Sequence, residues 1–186
     1  MREDMGSHIA TTQRLSVFAA ALSLLWMTNG LALADGGGGG GRGEGTCPPG
    51  QVYDARNMVC VKKQAGVLPD KELAEYAFVL AKAGRYQEAL DLLDLLRDPN
   101  TAVALNYRGY VTRKLGRLDE GIAYYRRSVA LDPHYAQVRE YLGEAYIIKG
   151  DMPSAKAQLL AIKQICGTVC EEYQHLAVAI ADPGDI

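Results

Sequence analysis

Four cysteines carry the most reactive side chains of this chain, and they come as two closely spaced pairs. Cys47 and Cys60 are 13 positions apart, and Cys166 and Cys170 are four apart. An even cysteine count is typical of disulfides in an exported protein. Four cysteines allow three pairings, and proximity along the chain favours Cys47 with Cys60 and Cys166 with Cys170.

Redox chemistry and metal binding are the alternatives for the second cysteine pair, and both are disfavoured. A reactive dithiol usually has two residues between its cysteines and lies at a helix N-terminus, whereas Cys166 is expected to end a helix. Of the three histidines, His8, His134 and His175, only His175 comes soon after a cysteine, five positions beyond Cys170. On a helix that spacing turns the two side chains away from each other. We therefore expect a structural disulfide, no metal and no other cofactor.

No other residues have the order or spacing of a catalytic site. Serine, histidine and acidic residues do not follow a recognisable catalytic order, and no glycine-rich phosphate loop follows a strand. Glu171 and Glu172 are adjacent, so on a helix they point in different directions. The 20 Lys and Arg residues are offset by 22 Asp and Glu residues, for a net charge of -2. The sequence thus predicts neither an enzyme nor a nucleic-acid-binding protein.

The first 34 residues have the pattern of a secretory signal peptide. An apolar run of 13 residues, 15–27, is too short to cross a bilayer, which takes about 20 residues. Ala32 and Ala34 are the small residues that a signal peptidase needs, so cleavage is expected after Ala34. An uncleaved membrane anchor is the alternative. With cleavage, the mature chain has no membrane span and is periplasmic or secreted.

Residues 35–46 are rich in glycine and are expected to form a flexible linker. The next segment, 47–63, has turn-forming residues between Cys47 and Cys60 and is expected to form a small disulfide-closed hairpin. It resembles the cysteine-loop modules that precede repeat domains in bacterial secreted proteins, and more distantly small carbohydrate-binding knots. The first resemblance implies a structural staple, and the second implies a sugar-binding surface.

A repeated helix-turn-helix pattern fills the rest of the chain. Gly84, Gly116 and Gly150 mark three similar turns, and the last two are 34 residues apart. In each copy a small residue precedes the turn and another follows it, which lets two antiparallel helices approach closely. These small residues are Ala77, Gly109 and Gly143 before the turns, and Ala89, Gly121 and Ala155 after them.

With these positions the chain resembles the tetratricopeptide repeat family, whose 34-residue unit has small residues at its eighth and twentieth positions and a proline near its thirty-second. Pro133 matches that proline. The resemblance implies an all-α, right-handed α-solenoid, preceded by the flexible leader and the disulfide loop. The expected units are 70–99, 102–135 and 136–167, followed by a capping helix over 168–181.

Helix signals and departures from the family pattern refine these units. Asp70, Asn100 or Thr101, and Asp151 are expected to cap the first, third and sixth helices. Pro99 is expected to end the second helix early, and Arg108 stands where the family has a buried leucine. Gly121 replaces the usual alanine at a helix-propensity cost of about 1 kcal/mol. We therefore expect the middle unit to depend on its neighbours for stability.

The resemblance also implies a concave groove lined by the first helix of each unit. Phe78 and Tyr110 are the expected aromatic anchors, and Lys82 or Arg113 is expected to contact a carbonyl or carboxylate of a ligand. A carboxylate clamp for chaperone C-termini is not expected, because apolar residues stand where the clamp has polar ones. The candidate groove residues are Phe78, Lys82, Asn106, Tyr110, Arg113, Glu140 and Glu144, with Ala74, Ala81, Lys114, Ile147 and Ile148 alongside them.

These features predict a non-catalytic interaction module of the bacterial periplasm or secreted space. Its expected partner is an unidentified protein or peptide, bound as an extended segment or a helix in the groove. The alternative is an envelope protein that binds cell-wall glycan through the Cys47–Cys60 loop and uses the repeats as a scaffold.

Overall fold

The computed structural model describes residues 46–185 of the chain. The predicted signal peptide, 1–34, and all but the last residue of the predicted linker, 35–46, lie outside the described residues. Within 46–185, none of the helices combines the length and the apolar character that a membrane span requires.

A β-hairpin precedes seven α-helices in the described part of the chain. The strands are β1 (Gln51–Asp54) and β2 (Val59–Lys62), which pair antiparallel with Val52 opposite Val61. The helices are α1 (Asp70–Lys82), α2 (Tyr86–Leu93), α3 (Ala102–Lys114), α4 (Leu118–Leu131), α5 (Ala136–Lys149), α6 (Met152–Cys166) and α7 (Glu171–Ala181). A short 3-10 helix, Pro183–Asp185, follows.

Three stacked helical hairpins, α1–α2, α3–α4 and α5–α6, form the body of the fold. The turn glycines Gly84, Gly116 and Gly150 have φ of 77°, 83° and 82°, a left-handed conformation that residues with a Cβ adopt at a cost. Each turn therefore reverses the chain within a few residues, and the two helices of a unit pack side by side. The predicted solenoid architecture is confirmed.

The predicted helix caps are confirmed at two of three positions. Thr101 accepts a hydrogen bond from the Ala104 backbone N–H at the start of α3. Asp151 likewise accepts from Ser154 at the start of α6. The prediction for Asp70 is wrong, because Asp70 is the first residue of α1 and its carboxylate accepts from the backbone N–H of Asp98. It therefore joins α1 to the connection before α3.

Two helix boundaries differ from the sequence-based expectation. The second helix ends at Leu93, six residues before Pro99, so the proline does not end it. Leu96 from the segment in between is buried in the core, which replaces the missing helical turn. The capping helix begins at Glu171 rather than at residue 168, because Cys170 is extended and serves as its N-cap residue.

Small residues allow close helix crossings, as the middle unit shows. Gly109 on α3 faces Gly121 on α4, and a Cβ built on Gly121 would lie 2.9 Å from the Gly109 carbonyl oxygen. Beside them, the fully buried ring of Tyr125 covers Gly109. In the last unit, Leu176 of α7 fills the space above Gly143, which fixes the capping helix on α5.

Arg108 stands where the repeat pattern has a buried leucine, and its charge is paired with a carboxylate. Its guanidinium Nη1 lies 2.7 Å from a carboxylate oxygen of Asp94, just after α2, and the group also packs over the ring of Tyr124. The arginine stem thus takes part in packing between the first and second units, while its charge is neutralised at the surface.

The disulfide-closed hairpin caps the first helical unit. Cys47 and Cys60 are bridged, which confirms the predicted loop, and Cys47 and Val52 are buried against the helices. Backbone groups of Cys47 bond to two helix side chains: its N–H donates to the Tyr76 hydroxyl, and its carbonyl accepts from Arg85 Nη1 at 2.6 Å. The hairpin is therefore an integral part of the core and covers the open end of the first unit.

Candidate functional site

The first helix of each unit and the capping helix together line one cavity of about 350 Å³. Five of the seven predicted groove residues reach it, contributed by α1, α3 and α5. The lining residues are Lys82, Tyr110, Arg113, Lys114, Gln137, Glu140, Tyr141, Glu144, Glu171, Glu172 and His175. Because every helical unit contributes side chains, the cavity depends on the stacking of the whole array.

A ladder of aromatic rings forms one wall of the cavity and continues beyond it. Phe78 stacks on Tyr107 with ring centroids 4.4 Å apart, and it meets Tyr110 edge-on at 5.5 Å. Tyr110 is in turn 5.3 Å from Tyr141. Phe78 itself does not line the cavity; it lies behind Tyr110 and supports that ring. Such contacts hold the aromatic wall in one geometry.

Two lysines concentrate positive charge beside the Tyr110 ring. The ammonium nitrogens of Lys82 and Lys114 lie 5.6 Å and 5.9 Å from its centroid, within cation–π range. Among the described residues, neither lysine has a carboxylate within 4.0 Å. Burial, together with the nearby charges of Arg113 and Lys82, lowers the pKa of Lys114. The two lysines, here called the lysine pole, thus hold positive charge without a partner.

Arg113 lies beneath the lysine pole and is already engaged by the protein. Its side chain is buried, its Nη2 lies 2.7 Å from a carboxylate oxygen of Glu144, and its Nε donates to the Tyr125 hydroxyl at 3.4 Å. The predicted role as a freely available ligand contact therefore needs correction. Its Nη1 nitrogen, however, is buried and has no hydrogen-bond partner among the described residues. One nitrogen of the guanidinium, with its two N–H groups, thus has no acceptor among the described residues.

Acidic side chains line the opposite wall. Glu140 is 6% exposed, and its Oε1 lies 3.1 Å from Nδ1 of His175 on the capping helix. Burial raises the pKa of Glu140 to about 7, because few groups compensate its charge. Glu171 and Glu172 extend this wall from the first turn of α7. The three glutamates, here called the carboxylate pole, belong to α5 and α7, whereas the lysine pole belongs to α1 and α3 of the same cavity.

Asn106 and three of the apolar candidates do not belong to the groove. Asn106 is fully buried, and its amide donates to the Tyr135 hydroxyl at 3.0 Å and to Gln137 Oε1 at 3.1 Å. It therefore connects α3 to the start of the third unit and is not exposed to a ligand. The side chains of Ala74, Ala81 and Ile147 are likewise buried in the core.

Sequence reasoning missed the contribution of the capping helix. Glu171, Glu172 and His175, all on α7, line the cavity together with residues of the three helical units. The spacing of Glu171 and His175, four residues apart on a helix, was a detectable signal of a shared face. What could not be read was that this face would meet Glu140 on α5.

The second cysteine pair fixes the capping helix at its start. Cys166 ends α6, Cys170 precedes α7, and the two form a disulfide. The carboxylate of Glu172 lies close to both sulfurs, within the range of a three-residue metal site. Sulfurs joined to each other are not thiolate ligands, so the group does not form a metal site in the bridged protein. The disulfide instead fixes the start of α7, the helix that carries Glu171 and Glu172.

The three stacked hairpins, with their cavity along the first helices, define a right-handed α-solenoid of the tetratricopeptide type. Solved structures share this fold. The crystal structure of MamA matches with a TM-score of 0.52 and 20% identity, over 62% of this chain and 68% of MamA. PcrH, crystallised with the chaperone binding region of PopB, matches with a TM-score of 0.51 and 17% identity, over 63% of this chain and 98% of PcrH.

A third structure is similar to the same extent. The Yersinia enterocolitica type III secretion translocator chaperone SycD matches with a TM-score of 0.50 and 18% identity, over 60% of this chain and 84% of SycD. No protein-family model and no curated protein matches the sequence. At these identities the likeness concerns the fold.

Proposed function

We propose that this protein is a non-catalytic interaction scaffold that binds a segment of a partner protein in the cavity between the first helices and the capping helix. The observation that carries this proposal is the convergence of every helical unit on one open cavity, lined by aromatic rings and by charges that lack partners. A buried aromatic anchor with polar groups around it is the usual composition of a peptide-binding surface.

The structural comparisons support a binding role. PcrH has the same fold and was crystallised with a region of its partner PopB. A solenoid of this kind presents a preformed concave surface, so a segment that binds there does not require the scaffold to reorganise.

We further propose that the mature protein acts in the periplasm or outside the cell, after removal of residues 1–34. The two disulfides in the described part of the chain support this location, because such bonds persist in oxidising compartments. N-terminal sequencing of the protein recovered from the envelope or medium should give Asp35 as its first residue. Recovery with an intact N-terminus would contradict cleavage.

Glycan binding by the hairpin, the alternative function, gains no support from the structure. The inner face of β1 is buried against α1, and the large hydrophobic side chains that the hairpin exposes are Met58 and Val59, neither of them aromatic. A sugar-binding surface usually offers an exposed aromatic face with polar groups around it. Loss of peptidoglycan co-sedimentation on deletion of residues 47–61 would nevertheless favour this alternative.

Site-specific photo-crosslinking tests the proposed binding surface. A photoreactive phenylalanine analogue at Gln137 lines the cavity and leaves all its charged groups in place, whereas the same analogue at Lys156 is exposed on α6, outside the cavity. Crosslinking in an envelope fraction should yield a defined partner peptide from position 137 and little from position 156. Equal yields from both positions, or none from either, would contradict the proposal.

A further inference from the structure

We propose, building on the proposed function, that the cavity selects a partner segment of mixed charge. An acidic side chain of the segment binds at the lysine pole, and a basic side chain close to it binds at the carboxylate pole. The partner is thus recognised by a pair of opposite charges rather than by a single charged end.

The lysine pole is an incomplete anion site. Lys82 and Lys114 point their ammonium groups at the same ring, that of Tyr110, and neither has a carboxylate within ion-pair distance in the described part of the chain. The positive charge of Lys82 contributes to the lowered pKa of Lys114, so the two ammonium groups repel each other. The guanidinium carbon of Arg113 lies 5.6 Å from the centroid of the same ring, so a third positive charge is held beside Tyr110. A carboxylate bound beside the two lysines would relieve this repulsion.

Among the described residues, the carboxylate pole has no Lys or Arg side chain within ion-pair distance, and its contacts are to His175. The one nearby arginine, Arg113, is paired with Glu144, which leaves Glu140 with His175 as its single side-chain partner. Glu171 lies 3.7 Å from the other ring nitrogen of that histidine. A Lys or Arg side chain of a bound segment would supply the missing positive charge. Polyanions are disfavoured by this wall, and polycations are disfavoured by the lysine pole.

Charge complementarity therefore favours a bound segment that carries both a positive and a negative side chain. The aromatic wall, Tyr110 and Tyr141, lies along the same cavity and can hold the apolar part of the segment. The lysines belong to α1 and α3 and the glutamates of the carboxylate pole to α5 and α7, so the two ligand charges bind at different ends of the cavity. The position of each sign is fixed by the protein before the ligand arrives.

A two-stage experiment separates this inference from the proposed function. The full oxidised chain is first used to select binders from a random 12-residue peptide display library, and crosslinking from position 137 retains the binders that occupy the cavity. Synthetic copies of the selected peptides are then made with the acidic residues changed to amides, or with the basic residues changed to glutamine. Affinities are measured at low and at physiological salt.

Matched variants locate each charge. Lys82→Glu with Lys114→Glu removes the lysine pole, and the control, Lys156→Glu with Lys163→Glu, makes the same change at exposed positions on α6. We expect the first double variant to weaken binding of the mixed-charge peptide about tenfold, and the control to change it less than twofold. The neutral variant Lys82→Gln with Lys114→Gln removes the same charges without adding negative ones, so it should also weaken binding even if the glutamate variant misfolds. At the other pole, Glu171→Lys with Glu172→Lys should abolish the preference for a peptide with a basic residue.

Three outcomes distinguish the mixed-charge inference from the proposed function. Enrichment of peptides with neighbouring acidic and basic residues, together with their loss on the pole variants, supports the inference. Cavity-bound peptides without that enrichment, which bind all variants equally, overturn the inference and leave the proposed function intact. A selection that yields no cavity-bound peptide overturns both.

Discussion

Gly121→Ala is the substitution for which the family pattern and the three-dimensional structure predict opposite signs. Alanine is the usual residue at this position in the tetratricopeptide repeat pattern that the sequence resembles, and on helix propensity alone the change should stabilise α4 by about 1 kcal/mol. In the structure, the new Cβ would lie 2.9 Å from the Gly109 carbonyl oxygen and 3.1 Å from Cβ of Arg113. Both atoms belong to α3, so the two helices would have to separate.

The size of the effect follows from these distances. Overpacking at a site where the nearest atom is backbone costs about 1–3 kcal/mol, because no side chain can rotate away. The propensity gain of about 1 kcal/mol offsets part of that cost. We expect a net loss of about 1 kcal/mol in the free energy of unfolding, or a melting temperature lower by about 3–4 °C for a domain of this size.

Thermal and urea unfolding of the oxidised chain, followed by circular dichroism, measure this difference. Ala123→Gly is the matched control, because Ala123 is exposed on the same helix and reports propensity without packing. The control should lose about 1 kcal/mol. If Gly121→Ala instead gains as much as the control loses, the close crossing of α3 and α4 is refuted.

Further predictions concern the charged cavity and the N-terminal cap. Burial raises the pKa of Glu140 to about 7, above that of a free glutamate, so the folded state binds the proton more tightly. The free energy of unfolding should therefore fall as pH rises from about 4.5 to 7. Glu140→Gln should remove most of that fall, measured by urea unfolding at pH 5 and 8. If the variant loses as much stability between these two pH values as the wild type, the raised pKa of Glu140 is contradicted. Arg113→Met should cost about 3 kcal/mol by stranding Glu144, and adding Glu144→Leu should recover part of it in a double-mutant cycle. If the stability losses of the two single variants simply add in the double variant, Arg113 and Glu144 are not coupled. Replacing Cys47 and Cys60 with serine should cost about 3 kcal/mol by denaturant unfolding, and no loss would show that the hairpin adds nothing to the first unit.

Much of the solenoid was predictable because its determinants are local. A glycine at each turn and small residues at fixed distances from it are enough to predict two close antiparallel helices, and Thr101 and Asp151 mark helix starts by their own side chains. Asp70 has the same residue type as a cap, but its partner, the backbone of Asp98, is 28 residues away. No local pattern predicts that contact.

The residues of the candidate site also divide into those that the sequence pattern predicts and those that only long-range contacts determine. The resemblance to the tetratricopeptide repeat pattern implied that Lys82, Tyr110 and Glu140 line the groove, and all three line the cavity. It could not distinguish Asn106, which is buried against the next unit, from residues that reach solvent. That distinction depends on which side chains from neighbouring units fill the intervening space.

By itself, the sequence determined the repeat, its turns, the cysteine pairing by proximity and the set of residues on the inner helices. The tertiary structure decided which of those residues remain available to a ligand. Arg113 is engaged because Glu144, 31 positions away, comes within 2.7 Å of it, whereas Lys82 and Lys114 stay unpaired beside Tyr110. It also decided that the capping helix supplies the acidic wall. The physical reason is that a helix period defines faces, while charge pairing depends on distances between faces, and those distances exist only after the units have stacked.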